Sequence, residues 1–139
     1  KKKINFSFIG DISKFDLTVR SKLLNLKKIT SSHKSLYFTL ALSYGSRNEI
    51  ISAIKKIKNK KIHKITENDI TSNLMTSNLP DPDFVIRTSG EKRLSNFLLW
   101  QIAYSELYFT KTLWPEFTTT KYSIALKNYI KRKRRFGGD

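Results

Sequence analysis

Arg87, Arg93 and Ser95 fall close together in the sequence, and their types suit the binding of phosphate. Arginine presents a rigid planar fork that grips phosphate with two parallel hydrogen bonds, where lysine is a point charge. The run Phe84-Val85-Ile86 is short, apolar and β-prone, so it is expected to form a buried strand that ends at Arg87. Ser95 is placed to cap an apolar helix over Asn96–Tyr104. In open α/β sheets, ligands bind outside the carboxyl ends of the strands. A helix start adds free N–H groups and the positive end of a dipole. The loop Thr88–Ser95 thus offers the parts of a diphosphate site. A plainer arrangement fits the same residues: the arginines pair with Glu91 and Asp83, and Ser95 only caps its helix.

Glu106 is the second candidate. It lies among Tyr104, Leu107 and Tyr108, where a carboxylate is costly unless it is paired or bound to a cation. Mg²⁺ prefers carboxylate and phosphate oxygens, so Glu106 could be a metal ligand. A salt bridge to one of the chain's many cations is the alternative. His33 and His63 stand apart in lysine-rich surroundings and read as surface histidines, not a metal pair.

The elements that must position these groups alternate in type. Ile4–Ile9 reads as a strand ending at the turn Gly10-Asp11, and Leu17–Ile29 as an amphipathic helix. Ser35–Tyr44 is almost continuously apolar and β-branched, as expected of a parallel strand buried on both faces. Arg47–Ile57 carries isoleucines at helical spacing, and Lys58–Lys64 reads as a basic linker. Thr66 is placed as an N-cap with Asp69 at the capping-box position. Pro80 and Pro82 interrupt the chain, Leu107–Phe109 is a last short strand, and Thr118–Arg132 a final helix stopped by Gly137-Gly138. This order predicts an α/β fold with a mostly parallel central sheet flanked by helices, over a single domain spanning 1–139.

Composition narrows the class. Twenty-seven Lys+Arg against 11 Asp+Glu give a net charge of +16, which favours anionic partners: nucleic acid, anionic lipid or phosphorylated small molecules. The 20 lysines serve equally well as generic solvated surface, but five of the seven arginines lie at or beyond Arg87. With no cysteine there are no disulfides or thiolate metal sites, which fits a reducing cytoplasm. No run of about 18 apolar residues predicts a membrane span, and Lys1-Lys2-Lys3-Ile4 does not open a signal peptide. The run Lys131–Arg135 could touch anionic lipid or complement a helix C-terminus.

The segment Asp81–Phe109 resembles the long signature of the cis-prenyltransferases, the undecaprenyl diphosphate synthase type, almost residue for residue. Leu113-Trp114-Pro115-Glu116-Phe117 continues the likeness, and Arg134-Arg135-Phe136-Gly137-Gly138 resembles the family's tail. Phe8-Ile9-Gly10-Asp11 and Leu42-Ser43-Tyr44-Gly45-Ser46-Arg47 resemble its strand ends, in matching order. The resemblance covers nearly the whole chain and corresponds to the C-terminal half of such an enzyme. It implies cis-prenyl elongation: isopentenyl diphosphate is condensed with an allylic diphosphate such as farnesyl diphosphate. The product would be a long polyprenyl diphosphate such as undecaprenyl diphosphate, the lipid carrier of cell-wall synthesis. By the same likeness Arg87, Arg93, Leu94 and Ser95 hold the diphosphate of isopentenyl diphosphate, and Glu106 helps bind Mg²⁺. Arg135 and Gly137 belong to a tail that reaches the diphosphate site. A homodimer is implied, with the segment through Trp100 at its interface, and so is a cytoplasmic protein peripheral to the membrane.

The match has gaps. The family's upstream His…Asp-Gly-Asn-Gly-Arg-Trp segment and a second polar strand end, with the catalytic Asp and Asn, do not occur in this sequence. Ser43 and Ser46 replace Asn and Gly of the usual Asn-Tyr-Gly-Gly-Arg, so Ser46 would be strained if that glycine has positive φ. Lys92 stands where some members have histidine. Besides the enzyme or a piece of one, two readings stay open: a non-catalytic partner subunit or inactive fragment, and, more remotely, a basic nucleic-acid-binding module. No nucleic-acid recognition motif is present, so no nucleic-acid partner is expected.

Overall fold

The computed structural model describes residues 3–60 and 64–133. The chain divides into two compact units, Lys1–Leu79 and Pro80–Asp139. Strands and helices alternate and each strand pair is parallel, so the fold is α/β.

In the first unit, β1 (Ile4–Gly10), α1 (Leu17–Thr30) and β2 (Leu36–Leu42) form a βαβ crossover. The strands run in register from Ile4 opposite Leu36 to Gly10 opposite Leu42. Asp16 caps α1 by accepting from the Val19 amide at 2.9 Å. Asn5 ties the return loop by donating to the carbonyls of Ser31 and His33, at 2.9 and 3.1 Å. His33 Nδ1 lies 2.8 Å from the Ile4 carbonyl oxygen. Gly10 has φ +100°, and a Cβ there would meet the Leu42 carbonyl oxygen at 2.1 Å, so only glycine lets the strand ends approach.

Helix α2 (Ser46–Asn59) and the short α3 (Glu67–Thr71) complete this unit. Ala53, Ile57, Ile70 and Leu74 are buried with Phe6 and Ile9. The Thr66–Asp69 capping box forms as the sequence indicates, with both reciprocal hydrogen bonds present. Part of the expected linker is helix, since α2 runs to Asn59; residues 61–63, His63 among them, lie outside the described residues. Two lysines of this stretch, Lys56 in α2 and Lys60 just after it, are not generic surface. Lys56 donates to the Asn73 carbonyl at 3.1 Å, and Lys60 to Asn73 Oδ1 at 3.0 Å.

Two expectations change here. β2 is not buried on both faces, because Leu36, Tyr37 and Phe38 are about half exposed or more. Within its unit the strand pairs with β1 alone, so apolar sequence signals a buried strand without supplying what buries it. Ser46 carries no strain, being the first residue of α2; the left-handed residue is Ser43, at φ 46°.

In the second unit, β3 (Phe84–Arg87) pairs in parallel with β4 (Glu106–Phe109), from Phe84 opposite Glu106 to Arg87 opposite Phe109. Helix α4 (Thr119–Ile130), capped by Thr118, packs against β4. Phe84 packs against Tyr129 of α4 at 4.9 Å between ring centres, and against Tyr108 at 6.1 Å. The end of α4 comes earlier than expected, at Lys131, and the terminating Gly137-Gly138 lie outside the described residues.

The expected helix over Asn96–Tyr104 is absent, and Ser95 is not its N-cap. Ser95, Asn96 and Leu98 take φ of 50°, 61° and 46°, which a right-handed helix cannot contain. The crossover from β3 to β4 is a series of turns, held by bonds such as Ile102 amide to Leu98 carbonyl at 3.0 Å.

Candidate functional site

The second unit contains a cavity of about 210 Å³ beside the carboxyl end of the β3–β4 pair. Arg87 ends β3, Arg93 and Leu94 come from the crossover, and Phe97, Leu107 and Phe109 supply apolar wall. The loop leaving β3 is fixed by its own amides. Ser89 donates to the Thr112 carbonyl and Gly90 to the Thr110 carbonyl, both at 2.8 Å, while the Thr110 amide donates to the Arg87 carbonyl at 2.9 Å. These bonds extend the strand pairing past Arg87 and hold its backbone.

The two arginines differ electrostatically. Arg93 Nη1 pairs with Glu91 Oε2, and both side chains are well exposed. Arg87 has no carboxylate partner among the described residues. A half-buried guanidinium in a mostly apolar cavity is poorly compensated until an anion arrives. The cavity therefore suits a small ligand with an anionic head and an apolar body. Ser95 does not line it and is exposed, and the helix start that the sequence suggests is absent from the loop.

Glu106 opens β4 at the other end of the pair from Arg87. Glu106 is three residue steps along β4 from Phe109, the residue opposite Arg87, which is roughly 10 Å at the usual strand rise. Glu106 does not line the cavity. Its Oε2 accepts from Arg132 Nη1 at 2.6 Å, the salt bridge that the sequence left as the alternative to a metal. Arg132 Nη1 also donates to the Leu107 carbonyl at 3.0 Å. No cluster of three His, Cys, Asp or Glu able to hold a metal occurs among the described residues. Among the described residues Glu106, a single carboxylate already paired with Arg132, does not by itself make a divalent-cation site. Arg135 and Gly137 lie outside the described residues.

Sequence reading did not single out a second site at the carboxyl ends of β1 and β2. A cavity of about 340 Å³ there is lined by Asp11, Lys14, Tyr44, Asn48 and Glu49, among others. Glu49 is fully buried; its Oε2 accepts from Tyr44 Oη at 2.5 Å and its Oε1 from the Met75 amide at 2.8 Å. It sits in the first turn of α2, where the helix dipole favours negative charge. Asp11 is held below the usual carboxylate range, chiefly by hydrogen bonds from the Ser13 side chain and amide. The signal available in the sequence was the acidic residue in the first turn after Gly45.

Fold and cavity together define a parallel α/β protein with a basic, apolar-walled cavity beside a strand end. The chain belongs to the family described as "Putative undecaprenyl diphosphate synthase", whose model matches residues 1–137. The chain is 46% identical over 99% of its length to a (2E,6E)-farnesyl-diphosphate-specific ditrans,polycis-undecaprenyl-diphosphate synthase of Buchnera aphidicola, and covers 57% of that protein. It is 43% identical over 99% of its length to a geranylgeranyl-diphosphate-specific tritrans,polycis-undecaprenyl-diphosphate synthase of Thermoplasma volcanium, and covers 55% of it. It is therefore similar to little more than half the length of these relatives, in their C-terminal half. The crystal structure of a probable undecaprenyl diphosphate synthase from Campylobacter jejuni superposes with a TM-score of 0.89 at 38% identity, covering 98% of this chain and 64% of that one. Lavandulyl diphosphate synthase from Lavandula x intermedia, solved with dimethylallyl diphosphate, gives 0.93 at 35% identity, covering 99% and 62%. No helix among the described residues is long and apolar enough to cross a membrane.

Proposed function

We propose that the protein acts in cis-prenyl chain elongation, joining isopentenyl diphosphate to an allylic diphosphate to make a long polyprenyl diphosphate. The observation that carries this reading is Arg87, a cation without a carboxylate partner among the described residues, in an apolar cavity shared with Arg93. Such a cavity matches a diphosphate on a short hydrocarbon. The names of its relatives support the reaction class, and their two primer specificities leave the allylic substrate open: farnesyl diphosphate in one, geranylgeranyl diphosphate in the other.

In this reading Arg87 and Arg93 hold the diphosphate through bidentate bonds, Arg93 exchanging Glu91 for the ligand. Leu94 and Phe97 face the hydrocarbon and keep water from it. The protein's contribution is to fix the homoallylic double bond for attack and to balance charge. By likeness to the family, Glu106 would help hold Mg²⁺ only together with ligands beyond the described residues, and the ion would supply charge stabilisation to the diphosphate. Ser95, Arg135 and Gly137 are assigned to diphosphate binding by likeness to the family alone. We assign the chain to the C-terminal portion of one cis-prenyltransferase domain that pairs as a homodimer and meets lipid peripherally at the cytoplasmic face.

Incorporation of labelled isopentenyl diphosphate onto farnesyl diphosphate with Mg²⁺ tests the reading. Lengthened product that falls at least about tenfold with Arg87→Ala is expected, the scale of a lost charged hydrogen bond. Turnover that is indifferent to Arg87→Ala would remove the cavity from the reaction.

A further inference from the structure

Helix α1 has two sides of different chemistry. Toward β1, Thr30 Oγ1 accepts from the Phe6 amide at 3.1 Å, and the Lys27 ammonium lies 5.3 Å from the centre of the Phe8 ring. On the other side Leu17, Arg20, Ser21, Leu24, Asn25 and Lys28 line a shallow groove of about 460 Å³. Steps of three and four residues set these six on one stripe of the helix. No residue of α1 is buried, and Leu17 and Leu24 are 77% and 52% exposed. A single exposed leucine is ordinary, but two in one groove between cations make a surface. The charge of the helix has one sign: α1 contains Arg20, Lys22, Lys27 and Lys28 and no Asp or Glu. Asp16, just before it, is occupied in accepting from the Val19 amide at 2.9 Å.

We infer that the outer face of α1 is a docking surface for an anionic lipid bilayer. The helix lies flat on the membrane, Leu17 and Leu24 enter the boundary of the acyl chains, and Arg20 and Lys28 meet headgroup phosphate. Likeness to the family implies a peripheral lipid contact but names no surface; this inference stands on α1 itself, whatever reaction the cavity beside Arg87 serves. The pairing of leucines with cations selects the occupant. Interfacial helices bind through buried apolar area together with attraction to anionic lipid. Arg and Lys suit that boundary, since their apolar stems lie along hydrocarbon while the charged heads stay at the headgroups. A nucleic acid would satisfy the cations and leave both leucines in water. The binding is reversible: two leucines bury little area, and each cation near an anionic surface adds about fivefold.

Co-sedimentation of the full chain with vesicles of mixed phosphatidylglycerol and phosphatidylcholine, beside vesicles of phosphatidylcholine alone, tests the surface. Binding should require the anionic lipid. The pair Leu17→Ser and Leu24→Ser leaves the charge unchanged and should weaken binding at least about fivefold. The pair Arg20→Gln and Lys28→Gln should weaken it at least about tenfold. A net charge of +16 attracts any anionic surface, so Lys55→Gln with Lys58→Gln on α2 serves as the charge-matched control and should lose less than about threefold, since those two lysines lie off the docking face. The chain has no cysteine, so Leu24→Cys takes a single environment-sensitive fluorophore. Its emission should shift to the blue on anionic vesicles, while the same label at Lys55→Cys should not respond. Vesicle binding unchanged by the leucine pair, or an unshifted label at position 24, overturns the inference. So does tight binding to a polynucleotide that needs Arg20 and Lys28, ignores both leucines and occurs without vesicle binding.

Discussion

Arg87 and Arg93 line one cavity, yet among the described residues only Arg93 pairs with a carboxylate, that of Glu91. The asymmetry separates their roles. Arg87 is the standing positive charge of the cavity, and Arg93 can reach a ligand only by leaving Glu91. Exposed ion pairs are worth about 0–1 kcal/mol, so that exchange costs little.

Glu91→Gln should therefore change stability by less than about 1 kcal/mol. Urea unfolding at low and at moderate salt checks this. A loss of several kcal/mol would show the pair to be structural.

Glu49→Ala should be far more damaging than any change at Glu91. It leaves the Met75 amide and the Tyr44 hydroxyl without their buried acceptor, which should cost about 2–4 kcal/mol. Glu49→Gln keeps one acceptor oxygen and should lose less. Denaturant midpoints of the two variants give the comparison.

The Thr66–Asp69 capping box has a pH signature. Hydrogen bonds from the Thr66 side chain and amide hold the Asp69 carboxyl below its ordinary value of 3.8. A carboxyl depressed by folding contributes stability that is present above the unfolded value and disappears as pH falls through the folded one. Asp69→Asn should thus lower thermal stability slightly near neutral pH, and the difference from the wild type should shrink below about pH 4. Melting curves across that range, at fixed ionic strength, read it directly.

Much of this was legible in the sequence, for identifiable reasons. β1, α1 and α2 follow from hydrophobic period, and the Thr66–Asp69 box from cap chemistry. Arg87, Arg93 and Ser95 were named as a group from their spacing after a strand and Leu94 by likeness to the family; the arginines and Leu94 line one cavity, and Ser95 does not. The segment Asn96–Tyr104 misled because a short apolar run without Gly or Pro suits a helix equally well. Its left-handed residues Ser95, Asn96 and Leu98 carry too little local signal to show otherwise. The partner of Glu106 was hidden for another reason. Arg132 lies 26 residues away in sequence, and the packing of Phe84 and Tyr129 that brings α4 to β4 is tertiary.

The most direct measurement of the central claim is calorimetric titration of isopentenyl diphosphate into this chain, beside Arg87→Ala and Arg87→Lys. The account expects one site per chain, affinity at least about tenfold weaker in Arg87→Ala, and partial retention in Arg87→Lys, since lysine keeps the charge but not the fork. Equal affinity for all three proteins would contradict it, because the unpaired cation of the cavity would then have no part in holding the diphosphate.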